Sequence, residues 1–408
     1  MRQTRQLSSL FRFVVPALLV WIIVLWQTPA MAAEAGTAVK IGTGIVEKPA
    51  AEVNINWDDA WFAEDATVYC HELALSSMAL SGAAYVREDR VPCVQGALAA
   101  LGFEKIESYH YQFTLEPGDQ VAYTFGMKKV KNQNGKTVRL VAVVVRGTGE
   151  YTEWASNLNV GDWSDHTGFA GAMEELLGNL GKYLSKAGIT ERSKDATKFL
   201  MTGHSRGGAV ANLLAARLPE EGWAKKENIY GYTFAAPAVS TDAEEEGYEN
   251  IFNIVNEDDL VPQVPLSAWG YHRYGVDLPL PTGDSGLFEK MNQEFNALTG
   301  QSYTSYRDPK AAAKITGALY RLIPSTSGVN MEMFAALLSG DFEGLSTLVK
   351  GNGFAALLLG KTAIDLSSEL TPLIQNEQGA LRSAHCMAGY YSWLSVSGEF
   401  LTEGRTGT

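Results

Sequence analysis

The chain has 408 residues, 46% of them hydrophobic and 19% charged, with 33 lysines and arginines against 46 aspartates and glutamates. That composition suits a globular protein with a substantial core in one large or two ordinary domains, and it excludes low-complexity disorder. A formal net charge of −13 argues against binding nucleic acid or an anionic membrane by charge.

The N-terminus carries Arg2, Arg5 and Arg12, then an apolar run from Phe13 to Trp26, then Ala30-Met31-Ala32. A basic start, an apolar stretch short for a membrane span and an A-x-A site predict a secretory signal peptide over residues 1–33, cleaved after Ala32 or Ala33. An uncleaved membrane tether is the alternative. Cleavage removes three arginines and no acid, so the formal charge goes from −13 to −16. Of the three cysteines, Cys70 and Cys93 could pair in an exported protein, which leaves Cys386 over. No Cys/His spacing fits a zinc site.

After a stretch to about Asn56 that reads as flexible, Asp65 to Ala84 and Pro92 to Leu101 are helix-compatible and expected to pack outside a sheet. Val121, Tyr123, Phe125 and Met127 alternate as in a half-buried strand, and Val138 to Arg146 follows as a nearly continuous apolar run, with Asn134-Gly135 between them as a hairpin signal. The segment holding Trp154, Asn157, Leu158 and Trp163 is of mixed character. From Gly171 to Ala187, Met173, Leu176, Leu177, Leu180 and Leu184 define an amphipathic helix, and Gly188 stops it. Lys198 to Gly203 is a short buried strand, and Ala209, Val210, Leu213, Leu214 and Leu218 recur at helical spacing. Ile229 to Phe234, Ile251 to Asn256 and Tyr271 to Leu280 supply further strands. The alternation predicts an α/β fold with a mostly parallel sheet. From about 281 to 378 the pattern changes to Leu- and Ala-rich segments such as Met331 to Leu338 and Phe354 to Leu359, which predicts an all-helical insertion within one domain spanning 34–408.

Strand and helix at 198–218 meet at Gly203-His204-Ser205-Arg206-Gly207. A side chain at such a turn has no room beside it, so glycine is needed two positions before and after. The pattern is a nucleophile elbow, which lifts the Ser205 hydroxyl above the sheet edge and sets it at a helix N-terminus, where backbone N–H groups stabilise negative charge. A glycine-rich structural turn is the bland alternative. A serine nucleophile needs a base oriented by a carboxylate, and on this fold the chain order is nucleophile, acid, base. Acids directly follow a strand at Asp258 and Asp259, and spacing does not separate them. His71, His110 and His166 precede Ser205, and His204 lies inside the elbow with a side chain that must diverge from the serine. His272 sits in a strand-like run, which leaves His385, at the start of the last helix-like segment, as the base.

The runs Val145-Arg-Gly-Thr148, His166-Thr-Gly-Phe169, Gly203-His-Ser-Arg-Gly207, Tyr232-Thr-Phe-Ala-Ala-Pro237 and Asp259-Leu-Val-Pro262, in this order, resemble the fungal-type (class 3) triacylglycerol lipases. The resemblance covers roughly residues 60 to 275 plus His385. It implies an α/β-hydrolase fold and ester hydrolysis through an acyl-enzyme, and the helical insertion read above lies between the acid and His385. It selects Asp259 as the acid, because the family's aspartate immediately precedes a hydrophobic-Val-Pro tripeptide. It implies Thr148 and the backbone N–H of Arg206 as oxyanion donors, and a lid over about 149–165. The chain departs from the fungal pattern in its larger helical insertion and in lacking the fungal disulfide set. The expected protein is a secreted triacylglycerol lipase acting on lipid esters at a lipid–water interface, with no cofactor, no metal and no nucleic-acid partner. A phospholipase A1, a short-chain or feruloyl-type esterase, and a degenerate hydrolase serving as a binding module are the alternatives. Glu244-Glu245-Glu246 reads as a solvated turn rather than a calcium site.

Overall fold

In a computed structural model of the chain, the described residues are 36–112, 120–147, 165, 167–190, 196–263, 267, 270–283, 285–308, 310–311, 313–315, 372–373 and 375–403. The strands are β1 (Thr37–Gly42), β2 (Ala50–Ile55), β3 (Arg87–Glu88), β4 (Val91–Pro92), β5 (Glu104–Tyr109), β6 (Tyr123–Lys131), β7 (Thr137–Val145), β8 (Thr197–His204), β9 (Ile229–Phe234), β10 (Ile251–Val255) and β11 (Val276–Pro279). The helices are α1 (His71–Ala83), α2 (Cys93–Ala100), α3 (Thr167–Lys186), α4 (Arg206–Glu220), α5 (Phe288–Thr299), α6 (Met387–Val396) and α7 (Gly398–Glu403).

The apolar run of β7 explains the layering. Leu140, Ala142 and Val144 enter one core with α1, α2 and α6, whereas Val141, Val143 and Val145 enter a second core with α3 and α4. A strand buried on both faces has no polar side to show, so it reads as continuous apolar sequence. The seven-stranded sheet has the order β11-β10-β9-β8-β7-β6-β5. Strands β7 to β11 are mutually parallel, β6 pairs antiparallel with β7, and the edge strand β5 pairs antiparallel with β6. This is a mostly parallel α/β sheet, with helices on both faces and the predicted hairpin at β6–β7. The hairpin turn is closed by Asn132, whose side-chain oxygen accepts from the backbone N–H of Asn134 at 3.1 Å and of Lys136 at 3.0 Å.

Several expectations change. The stretch read as flexible up to Asn56 contains the β1–β2 hairpin, with Val39, Ile41, Val53 and Ile55 in the first core. The first helix begins at His71 rather than Asp65. Strand β5 gave no sequence signal because it is a half-buried edge strand interrupted by an irregularity between Glu104 and Glu107, which spoils the alternation. The last strand shrinks to Val276–Pro279. Cys70, Cys93 and Cys386 are all free thiols, so the Cys70–Cys93 bridge is absent. Each of the two is anchored separately, the N–H of Cys70 on the Tyr232 hydroxyl at 3.0 Å and that of Cys93 on the Val86 carbonyl at 2.8 Å.

Within the expected helical insertion the structure describes α5, ended by Gly300 at φ 73°. Residues 331–338 and 354–359 lie outside the described residues, as do residues 1–33. Among the described residues no helix is long and apolar enough to cross a membrane.

Candidate active site

The centre of the site is the sharp turn between β8 and α4. Ser205 has φ 59° and ψ −131°, a backbone conformation that non-glycine residues rarely adopt. It is held there by the ladder on both sides, with its N–H on the Phe234 carbonyl at 2.9 Å and its own carbonyl accepting from Ala209 at 3.1 Å. The flanking glycines are sterically required. A Cβ on Gly203 would stand 2.3 Å from the Gly207 carbonyl oxygen, and one on Gly207 would stand 2.4 Å from that of Val145. The strand-end backbone and the first helical turn therefore touch each other directly, and the serine side chain is the one that can leave the turn.

Three side chains from distant parts of the chain meet there. His385 Nε2 lies 3.1 Å from Ser205 Oγ, and His385 Nδ1 lies 2.8 Å from Asp259 Oδ2. Asp259 follows β10 and its side chain is 1% exposed, while that of His385 is 29% exposed, so the acid is sealed and the imidazole shows an edge to solvent. The carboxylate is fully engaged. Its Oδ1 accepts from the N–H of Val261 at 2.9 Å, and its Oδ2 accepts also from the Tyr390 hydroxyl at 2.9 Å. Asp258 takes no such place. It is half-buried, burial and then nearby Glu257 push its carboxyl upward in pKa, and its backbone carbonyl accepts from Tyr306 at 2.7 Å.

His385 ends helical residues 375–385, and Cys386 then caps α6 with its Sγ accepting from Gly389 N–H at 3.4 Å. Burial pushes the Cys386 thiol up to about 12, so it stays neutral. The N-terminal hairpin supports this break. The Thr43 carbonyl accepts from Ala388 at 3.1 Å, and Gly44, at φ 77°, lies so close that a Cβ would come within 2.6 Å of Cys386 Cβ. The stretch expected to be loose is thus a buttress for His385.

His204 turns inward, as the crowding of the elbow predicted. Its Nε2 reaches the backbone carbonyl of His385 at 2.8 Å, and its Nδ1 lies 3.1 Å from the Tyr85 hydroxyl. Asn256 joins the loops that carry Asp259 and His385. Its side-chain amide donates to the Ala384 carbonyl at 3.0 Å, its backbone N–H donates to the Tyr390 hydroxyl at 3.0 Å, and its Oδ1 accepts from Asp258 N–H at 3.1 Å. Sequence reasoning missed Tyr85, Asn256 and Tyr390, since each is one polar residue in an otherwise ordinary apolar or turn segment.

Arg206 opens α4, so its N–H points from a helix N-terminus beside Ser205; its buried side chain runs away to the Gln120 carbonyl at 3.2 Å. Thr148 and residues 149–164, including Trp154, Trp163 and most of the expected lid, lie outside the described residues, as does His166. The other histidines are placed elsewhere. His272 is exposed, His71 bonds Tyr69 and the Leu394 carbonyl, and His110 pairs with Glu175. Glu244, Glu245 and Glu246 are exposed, and among the described residues no group of three or more His, Cys, Asp or Glu could hold a metal ion.

A hydroxyl, an imidazole and a sealed carboxylate in series can move a proton from oxygen to nitrogen and stabilise the cation that forms. A family model described as lipase (class 3) matches residues 142–269. Over 157 residues the chain is 32% identical to a secreted mono- and diacylglycerol lipase 1 of Fusarium solani, covering 35% of this chain and 44% of that protein. Over 163 residues it is 30% identical to a lipase of Rhizomucor miehei, covering 35% and 42% respectively. The chain thus spans less than half the length of these curated relatives. A solved structure of the native Rhizomucor miehei lipase propeptide complex aligns at 20% identity with a TM-score of 0.38, covering 60% of this chain and 82% of that one.

Proposed function

We propose, from the match of residues 142–269 to the class 3 lipase family model, that the protein is a secreted carboxylic ester hydrolase, specifically a triacylglycerol lipase working through Ser205, His385 and Asp259. The observation that carries the reading is the unbroken series Ser205 Oγ, His385 Nε2 at 3.1 Å, His385 Nδ1 and Asp259 Oδ2 at 2.8 Å, assembled on the strained turn. Ser205 Oγ attacks the ester carbonyl as its proton passes to His385 Nε2. Asp259 holds the Nδ1 proton and thereby fixes the tautomer with Nε2 facing the serine. The oxyanion is stabilised by the Arg206 N–H at the helix N-terminus and by Thr148, in the roles the resemblance implies. The tetrahedral species collapses, the alcohol leaves with the proton from His385, and water attacks the acyl-Ser205 ester by the same base. The reaction draws on no cofactor.

A fluorophosphonate probe on the folded protein tests the reading. Ser205 is labelled in the wild-type protein, and Ser205→Ala abolishes labelling and lowers kcat by about 10^4-fold or more. A Ser205→Ala protein that keeps its esterase activity overturns the assignment. Within ester hydrolysis, a rise in rate when triglyceride passes from solution into emulsion supports the lipase. Preference for short soluble esters, or for the sn-1 ester of phospholipid, assigns the esterase or phospholipase A1 instead. Export is supported by the basic-apolar-small pattern of residues 1–33 and is checked by the N-terminus of protein recovered outside the cell.

A further inference from the structure

The elbow histidine is a second, unused imidazole beside the candidate base. The ring centroids of His204 and His385 are 5.0 Å apart, and His204 is 2% exposed. Its protonation follows from its partners. Nε2 faces the His385 carbonyl, which can only accept, so Nε2 carries the proton. A second proton is disfavoured, because burial first and the nearby His385 second push His204 well below the ordinary imidazole range. Nδ1 is then an acceptor, and the Tyr85 hydroxyl, 3.1 Å from Nδ1 and 3.3 Å from the His204 carbonyl, is the donor facing both. Tyr85 is itself wedged at the strand end. A Cβ on Gly147 would stand 2.1 Å from the Tyr85 oxygen, so the phenol lies against the backbone that leads to Thr148.

We propose that His204, held by Tyr85 as the neutral Nε2–H tautomer, is a positioning residue that fixes His385 through its backbone carbonyl; the inference rests on the Ser205–His385–Asp259 reading. Asp259 orients the imidazole from the side-chain end, but a side chain can turn about its own Cα. The His385 carbonyl sits where helical residues 375–385 stop and α6 has not begun, a place where the backbone has least support from a helix ladder. A hydrogen bond from the residue next to Ser205 ties that backbone to the nucleophile itself. Ser205 and His385 are thereby linked twice, once through Oγ and Nε2 and once through adjacent main chain. A neutral ring in this position also puts no cation against the His385 imidazolium that forms during turnover.

The test uses the full-length protein and reads kcat, KM, fluorophosphonate labelling rate and thermal midpoint together. In His204→Leu the link to the carbonyl is gone, and kcat and labelling rate fall about 10- to 100-fold, the scale of a misplaced base. KM stays within about twofold, because nothing that touches the substrate has been removed. His204→Gln, whose amide nitrogen reaches the Nε2 position, recovers most of the rate. His204→Asn, whose amide reaches only as far as Nδ1, does not. Tyr85→Phe lowers kcat in the same direction by less. The inference is overturned if His204→Leu keeps the wild-type labelling rate, or if the Gln variant loses as much rate as the Leu variant with the same fall in thermal midpoint. Absence of labelling in the wild-type protein overturns the triad reading instead, which separates the two failures.

Discussion

The Tyr390 hydroxyl donates to Asp259 Oδ2 at 2.9 Å, the same oxygen that lies 2.8 Å from His385 Nδ1. Tyr390 is fully buried, and its own oxygen accepts from the N–H of Asn256. Burial, then the negative Asp259, hold the phenol well above its ordinary pKa, so it stays a donor throughout the working pH range. Tyr390→Phe removes a donor from the carboxylate and leaves the Asn256 N–H without its acceptor. We expect a loss of about 1–3 kcal/mol in urea denaturation and a several-fold fall in kcat with KM unchanged. Unaltered stability with full kcat contradicts this role.

The two neighbouring acids give opposite outcomes. Asp259→Asn keeps the shape but presents an amide donor to Nδ1, which turns the imidazole to the wrong tautomer. By analogy with the serine triad, kcat falls by about 10^4-fold. Asp258→Asn changes a half-buried carboxyl whose backbone carbonyl, not its side chain, holds Tyr306, so activity is retained. Steady-state rates of the two purified variants decide the matter, and equal losses would contradict the assignment of the acid.

Gly207 and Gly178 form a second contrasting pair. A Cβ on Gly207 would meet the Val145 oxygen at 2.4 Å, the Arg146 carbonyl carbon at 2.7 Å and the Gly147 nitrogen at 2.8 Å, all main-chain atoms that cannot turn aside. Gly207→Ala therefore costs about 3 kcal/mol or more, or prevents folding. Gly178 lies on the exposed side of α3 with nothing within 4 Å of a Cβ. Gly178→Ala stabilises by about 0.5–1 kcal/mol. Urea midpoints read both.

Stability depends on pH through His204. The folded state holds this ring neutral, whereas the unfolded chain takes up a proton near the ordinary imidazole value of about 6.5. Below that value the unfolded state binds more protons than the folded one, so stability is full above it and is lost as the pH falls. Half-buried His71, also lowered chiefly by burial, adds a smaller effect of the same sign. The urea midpoint should fall between pH 7.5 and 5, and His204→Gln should flatten part of that slope. A midpoint that rises on acidification contradicts the assignment.

The parallel sheet was legible because buried strands such as β7 are written as apolar runs and the helices between them carry a 3.6-residue period. The elbow was legible because its steric demand is local. Gly203, Ser205 and Gly207 lie within five residues, and the collision between the two glycine positions follows from backbone geometry alone. Strand β5 and the β1–β2 hairpin were not legible. One is an edge strand with a broken register, and the other draws its order from contacts with α1 and α6 far along the chain.

Sequence by itself predicted the tight turn at Gly203–Gly207 and the order in which an acid and a histidine would follow Ser205. Choosing between Asp258 and Asp259 by spacing was impossible, since adjacent residues share every local feature, and the resemblance was needed to select one. Only the tertiary structure decided which carboxylate is sealed against His385. It also decided that Tyr390, Asn256 and His204 hold the two loops, and that the hairpin at Thr43 and Gly44 packs beside His385. The reason is physical. A hydrogen bond between residues 126 or 181 positions apart leaves no periodic or local imprint in either segment, because its energy depends on where the packed sheet carries each end.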